Sequence, residues 1–447
     1  MLLSIEKLIY GGDGLGRSPA GADGRSMTVF VPFVLPGERV DVEIRHEKAG
    51  FARGSVAQLI EASPDRVEAR CPYYRQCGGC HYQHIPYERQ LEFKAGILRE
   101  TLQRIANIEL KSEIRLHVSP PWNYRNRTRL QVQTAPEFAL GYFRFGSHEF
   151  LPVRECPISS QLLNRVMTRL LELRGSNCPA AVQEIELFAD AADERLLAWA
   201  FCGHEADKGV LLRWAKALER ELPEITGVTL FSSRRQTSRQ TSKRQLEDDA
   251  PMDSKALAQS GAKSIRYRTK NHKYQVSAGA FFQVNRYLID ELVSVVTGDV
   301  RGDVALDLYA GVGLFSATLA QSFHHILGVE ASQTAYGDLL QNVPANVKAV
   351  GARTEDYLRS DYATSRPVRK RPDLVVLDPP RTGAGKVVMR SLVELGAPRV
   401  RYVSCDPATL ARDIAPLLAA GYHIEEAHLF DLFPETFHIE SVLLLAR

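Results

Sequence analysis

At 447 residues with 45% apolar content, the chain is too long for one ordinary core and reads as two or three soluble domains. Its 56 basic and 53 acidic side chains leave a formal charge of +3, which neither requires nor excludes nucleic acid. No apolar run is long enough to span a bilayer, and Glu6 and Lys7 interrupt the apolar start, which argues against a signal peptide. Seven cysteines without an export signal point to a reducing cytosol, and so to metal binding or chemistry rather than disulfides. Short strands with turns fill residues 1–60: Thr28–Val34, then Glu38–Ile44 with Val40, Val42 and Ile44 on one face, then Gly54–Ile60. Their close spacing predicts a small barrel. Gly11, Gly12, Gly14 and Gly16 lack the following helix that a nucleotide loop needs, so they read as a hairpin. Arg17, Arg25, Arg45, Lys48 and Arg53 either track phosphates or are scattered surface charge.

Next comes Cys71-Pro-Tyr-Tyr-Arg-Gln-Cys77-Gly-Gly-Cys80-His81-Tyr-Gln-His84, three thiols in one tight loop that can converge on one centre. A closed site needs a fourth ligand, for which Cys156 in Arg154-Glu-Cys-Pro-Ile158 is the best candidate. Spacing alone leaves a zinc site, with His81 or His84 as substitutes, and an iron–sulfur cluster both open. Leu91, Ala95, Leu98, Leu102 and Ile105 form the stripe of a packing helix from Tyr87. Aromatic and basic residues interleave from Trp122 to Gln133, a pattern suited to stacking bases and binding phosphates. Segments from Leu140 to about Leu230 predict a central antiparallel domain. The Ser/Arg/Gln run that starts at Ser232 has no apolar face, and 232–262 reads as a mobile insertion.

From 263 the pattern becomes α/β. Val304–Asp307 leads through Gly311 and Gly313 into a helix, and a second strand, Ile326–Val329, ends in Glu330. That order would suit a dinucleotide, but Ser316 replaces the third glycine and Asp307 would repel a pyrophosphate. Carboxylates there favour a cationic, phosphate-free ligand such as S-adenosylmethionine. An adenine contact falls near Thr354, Glu355 or Asp356. Leu374–Leu377 is a buried strand that presents Asp378, stiffened by Pro379 and Pro380. A further strand stops at Ser404-Cys405-Asp406-Pro407 before a helix, which lifts Cys405 to a strand's carboxyl end, where a thiolate can act as nucleophile.

The run from Ser404 to Asp413 resembles the nucleophile motif of RNA uracil-C5 methyltransferases, and Phe433-Pro-Glu-Thr-Phe-His-Ile-Glu440-Ser441 is similar to their C-terminal motif. Residues 1–60 resemble a TRAM domain, an OB-like RNA-binding barrel. The resemblance implies a multidomain fold: this barrel, a central α+β domain over 61–262 with a four-cysteine cluster site, and a Rossmann-like α/β methyltransferase domain over 263–447. It implies Cys405 as nucleophile at uracil C6 and Glu440 as the base that removes the C5 proton. It further implies Gln283, Tyr309, Glu330 and Asp378 as S-adenosylmethionine contacts, and Cys71, Cys77, Cys80 and Cys156 as ligands of a [4Fe–4S] cluster. Cys178 and Cys202 match nothing and are expected in the core. The expected protein is a cytoplasmic monomer that modifies 23S rRNA. The T-loop of tRNA is the alternative substrate, and an iron–sulfur RNA-binding protein without activity is the alternative class.

Overall fold

Strict alternation builds the N-terminal unit. The strands β1 (Leu2–Leu8), β2 (Asp13–Arg17), β3 (Thr28–Pro32), β4 (Arg39–Lys48) and β5 (Phe51–Glu61) close into a barrel in the order β1-β2-β3-β5-β4. Leu3, Ile5, Val29, Val31, Val40 and Val42 point inward at every second position and fill it. The glycines of β2 serve this packing, since a Cβ on Gly14 would come within 2.4 Å of Val34 and one on Gly16 within 2.7 Å of the Ser4 carbonyl. The computed structural model describes residues 1–19, 26–203, 206–232, 256–361 and 371–447.

The region expected to be one central domain serves two sheets. Helix Tyr87–Ala106 packs on helix Pro407–Ala419, and β6 (Ile114–His117) pairs in parallel with a strand near the C-terminus. The remainder forms a seven-stranded sheet from β7 (Arg127–Gln133), β8 (Ala139–Phe143), β9 (Phe150–Pro152), β10 (Val182–Ala189), β11 (Leu196–Cys202), β12 (Ile225–Ser232) and β13 (Ala256–Gly261). It is antiparallel except for β11 and β12, which helix Lys208–Glu221 joins as a crossover. The stretch expected to be a mobile insertion is therefore strand at both ends. Ser232 closes β12 and Ala256–Gly261 pairs along it, while residues 233–255 lie outside the described residues.

A hairpin of β14 (Ser264–Arg268) and β15 (Lys273–Ser277) leads into the C-terminal sheet. That sheet contains β16 (Gly302–Leu308), β17 (Phe323–Glu330), β18 (Val347–Gly351), β19 (Leu374–Leu377), β20 (Arg399–Ser404), β21 (His423–Phe430) and β22 (Glu440–Ala446), in the order β18-β17-β16-β19-β20-β22-β21-β6. The five strands from β18 to β20 run parallel, which explains their near-continuous apolar sequences. Alternate residues feed two cores. Leu306, Leu308, Val375 and Leu377 enter one face, while Ala305, Leu374 and Val376 enter the other. No helix among the described residues is long and apolar enough to cross a membrane.

Candidate active site

Because β17, β16, β19 and β20 are parallel, their carboxyl ends share one edge, and the acidic ends of the apolar runs stand there in a row. Glu330 ends β17, Asp307 is the penultimate residue of β16, Asp378 follows β19 and Cys405 follows β20. The chain winds outward in opposite directions from β16 and from β19, so Asp307 and Asp378 flank the crevice where open α/β sheets bind ligands. Burial raises the Asp307 carboxyl to about 6 against the pull of the Ser316 hydroxyl, which donates to Oδ2 at 2.5 Å. Burial and the neighbouring Asp307 raise Asp378 to about 7. The serine that replaces the third glycine is therefore the partner of the strand-end acid.

Glu330 accepts the Gly311 amide at 2.8 Å and the Ser332 amide at 2.6 Å, which ties the glycine turn to the next strand. Tyr309, between β16 and the glycine turn, has φ 65°, a left-handed conformation that costs a non-glycine residue energy and recurs at ligand sites. Its phenol lies in reach of Thr354, which sets the segment expected to contact an adenine beside Tyr309. Gln283 is buried, and its carbonyl accepts the Asn126 side-chain amide at 3.0 Å. Phe281, two residues before it, remains 42% exposed.

Antiparallel pairing brings the two expected catalysts together. Ser441 of β22 stands opposite Ser404 of β20, so one residue farther on Glu440 faces Cys405. Burial first, then the charges of Glu440 and Asp378, push the Cys405 thiol well above its usual range, and Arg381 pulls it down. Glu440 is also raised, by burial and by Asp378, and lowered by Arg381. Asp406 serves the turn as helix cap, with Oδ1 accepting the Ala408 and Thr409 amides at 2.9 and 2.8 Å. At the other end of the motif, Asp413 accepts the Ala384 amide and the Tyr402 hydroxyl, each at 2.7 Å. This fixes the loop that follows Asp378.

Several residues at the site carried no role in the sequence reading. Arg381 was visible beside the Asp-Pro-Pro run, but its reach to both Cys405 and Glu440 was not. His438 packs against Phe437 at 4.3 Å, and burial together with Arg381 holds it far below the usual histidine range. Gln90 and Lys94 project from helix Tyr87–Ala106 into the segment before Glu440. Lys94 Nζ donates to Asp431 at 2.6 Å and to the Phe433 carbonyl at 3.0 Å, with both charged side chains fully buried. Gln90 accepts the Glu435 amide at 3.0 Å and donates to Glu435 Oε2 at 3.2 Å.

The seven cysteines are all free thiols. Cys71, Cys77 and Cys80 are raised by burial, Cys77 to about 11, and each also feels the charge of Cys156. All four thiols thus lie within electrostatic reach of one another. Among the described residues, however, no three histidine, cysteine or acidic side chains stand close enough to grip a single metal ion. Cys202 lies in the core of the seven-stranded sheet with Cys178 packed against it. An open cleft of about 600 Å³ bordered by Asn123, Asn164, Arg165 and Arg169 lies beside the Cys156 turn, away from Cys405. On the barrel, Arg17, Arg45 and Arg53 each pair with an acid of the barrel itself (Glu6, Glu43 and Asp13). Arg25 lies outside the described residues.

A sheet with acids along the shared carboxyl edge of its parallel strands, a thiol–carboxylate pair beside them and a small barrel attached is a construction that related proteins share. Residues 1–57 match the TRAM domain and residues 86–447 match the family described as tRNA (uracil-5-)-methyltransferase. The chain belongs to that family. It is 32% identical over 450 residues to the 23S rRNA (uracil(1939)-C(5))-methyltransferase RlmD of Halomonas elongata, covering 99% of this chain and 89% of the relative. An uncharacterized RNA methyltransferase of Aquifex aeolicus is 32% identical over 452 residues, covering 99% of this chain and 97% of its own. Among solved structures, the tRNA (uracil-54, C5)-methyltransferase of Pyrococcus abyssi, in complex with S-adenosyl-L-homocysteine, superposes with a TM-score of 0.73 at 25% identity over the whole of both chains.

Proposed function

We propose that this chain methylates C5 of a uridine in 23S rRNA, with Cys405 as nucleophile and Glu440 as general base. The observation that carries the reading is the register of β20 against β22, which sets a carboxylate opposite a thiol at the edge where Asp378 also stands. Uracil C5 is too weak a nucleophile to take a methyl group unaided. Addition of the Cys405 sulfur to C6 moves the electron pair of the C5–C6 bond onto C5 and O4. Asp378, held near neutrality, passes the thiol proton to O4 and takes it back as C5 attacks. S-adenosylmethionine supplies the methyl group, whose bond to the sulfonium breaks as the bond to C5 forms. Glu440 then accepts the C5 proton, the carbon–sulfur bond breaks, and Cys405 is recovered. The reading assigns Tyr309, Glu330, Gln283 and Asp378 to the donor; Tyr309 and Glu330 stand beside the glycine turn in support of it. A uridine inside a folded RNA must leave its stack to reach Cys405.

The same reading assigns Cys71, Cys77, Cys80 and Cys156 to a [4Fe–4S] cluster. What supports it is the spacing of Cys71, Cys77 and Cys80 in one loop and the nearness of Cys156, whose charge acts on all three. Anaerobic purification should yield roughly four irons and four sulfides per chain.

The experiment for the reaction uses rRNA and tRNA from cells lacking the protein. Cys405→Ala should abolish methylation, and Glu440→Gln should trap a protein–RNA adduct that survives denaturation. The missing 5-methyluridine should map to 23S rRNA. Loss from tRNA instead would move the substrate, and a Gln variant that forms no adduct would remove Glu440 from its role. Calorimetry with S-adenosylmethionine excludes the inactive alternative if heat of binding is seen.

A further inference from the structure

Tyr10 lies at the turn from β1 into β2, far from the catalytic sheet in sequence, yet its hydroxyl donates to the Cys405 carbonyl at 3.0 Å. Its ring meets Phe437 edge-on at 5.6 Å and 88°. Phe437 lies three residues before Glu440, so one side chain of the barrel touches the turn that holds the thiol and the segment that delivers the base. The approach is close. Gly11 and Gly12 follow with φ of 107° and 89°, and a Cβ on Gly12 would come 3.2 Å from the His81 ring. His81 in turn packs on Phe437 at 4.7 Å, and its amide donates to the Glu435 carbonyl at 2.9 Å. The barrel turn is therefore seated among the catalytic segments rather than resting on the outside of the domain.

We propose that Tyr10 is a positioning residue for methyl transfer: the barrel, through this hydroxyl and ring, fixes the backbone of Cys405 against the segment bearing Glu440. The inference rests on Cys405 and Glu440 acting as described above. On its two flanks Cys405 is held by the Ser404 hydroxyl, which donates to the Asp406 carbonyl at 3.0 Å, and by the Asp406 cap. The Cys405 carbonyl itself takes its bond from Tyr10. Without that bond the peptide after Cys405 can rotate, and the sulfur spends less time aligned with C6. Small losses of alignment act on the rate of the chemical step and not on RNA affinity.

The test uses the full-length protein, S-adenosylmethionine and unmodified rRNA from cells lacking the enzyme. Tyr10→Phe keeps the ring and removes the hydroxyl. It should lower kcat about five- to tenfold, as loss of one hydrogen bond does, with KM for RNA and the unfolding midpoint unchanged. Adduct formation in a Glu440→Gln background should slow by the same factor. Tyr10→Leu, which also removes the contact with Phe437, should lower kcat further. A wild-type kcat in Tyr10→Phe overturns the inference. So does a rise in KM alone, which would make Tyr10 an RNA contact, or a loss of rate that vanishes after correction for the folded fraction. Cys405→Ala run in parallel separates the two readings. If it still methylates, the nucleophile assignment fails; if it is inactive while Tyr10→Phe is normal, only the role of Tyr10 fails.

Discussion

Asp307 and Asp378 end neighbouring strands, and both carboxyls are held above their ordinary value, at about 6 and about 7. Such groups cost stability rather than supply it. Below about pH 3 folded and unfolded chains are both protonated and nothing is lost; the cost grows as pH rises through the ordinary carboxylate range and is complete once pH has passed the raised values. For Asp307 the cost at neutral pH is about 3 kcal/mol at most. Asp307→Asn should therefore flatten the fall of the unfolding midpoint between about pH 4 and pH 6.5, measured by thermal denaturation. A cationic methyl donor beside these acids would lower both values, so its binding near pH 6.5 should release protons. Titration calorimetry in buffers of different ionisation enthalpy reads that release, and proton uptake would contradict the placement. Strand-end acids, Cys405 and Glu440 were legible because each closes an apolar run or belongs to a motif. The register that joins Cys405 to Glu440 is a property of pairing between distant strands, which no local pattern encodes. The barrel arginines show the converse: sequence left phosphate contact and scattered surface charge both open, and in the fold Arg17, Arg45 and Arg53 each pair with an acid of the barrel.

Among the elements, helix Tyr87–Ala106 was legible from its apolar stripe, and its role was not. Gln90 and Lys94 are one turn apart on its buried side, and a polar residue on a packing face looks like an exception until its partner is known. Here the partners are Asp431, Phe433 and Glu435, so the helix holds the segment that precedes Glu440. Lys94→Ala leaves Asp431 charged and buried and should cost about 3–5 kcal/mol in urea unfolding, whereas replacing both by Met and Leu should recover most of it. A loss under about 1 kcal/mol in the single variant would mean that the pair is hydrated in solution. Strand β6 escaped the sequence reading because it is four residues long with only Ile114 fully buried, too short for alternation to register. The edge strand Ala256–Gly261 was hidden by the polar stretch before it, which drew the whole of 232–262 into one reading.

At the scale of the molecule, the cysteine loop, the barrel and the C-terminal motif meet in one place. The His81 and Tyr82 amides both donate to the Glu435 carbonyl at 2.9 Å, directly after Cys80 in the chain. Whatever holds Cys80 therefore steadies Glu435, which itself sits at φ 69°. Oxidative removal of the proposed cluster should speed amide exchange over residues 433–440 by about tenfold, read by hydrogen-exchange mass spectrometry; unchanged protection would show the loop to be rigid without it. Composition and motif announced the separate units, while their convergence depends on contacts hundreds of residues apart.

Strand β22 lies between β20 and β21, with its first residue facing Cys405, and Tyr10 reaches the same turn from the opposite end of the chain. During synthesis, then, the ribosome must deliver the last strand before the site can close. The nascent barrel and the open edge of β20 have to wait beside each other until it arrives. A polypeptide that stops short of residue 440 has no partner for the thiol, so unfinished chains are disarmed by their own topology.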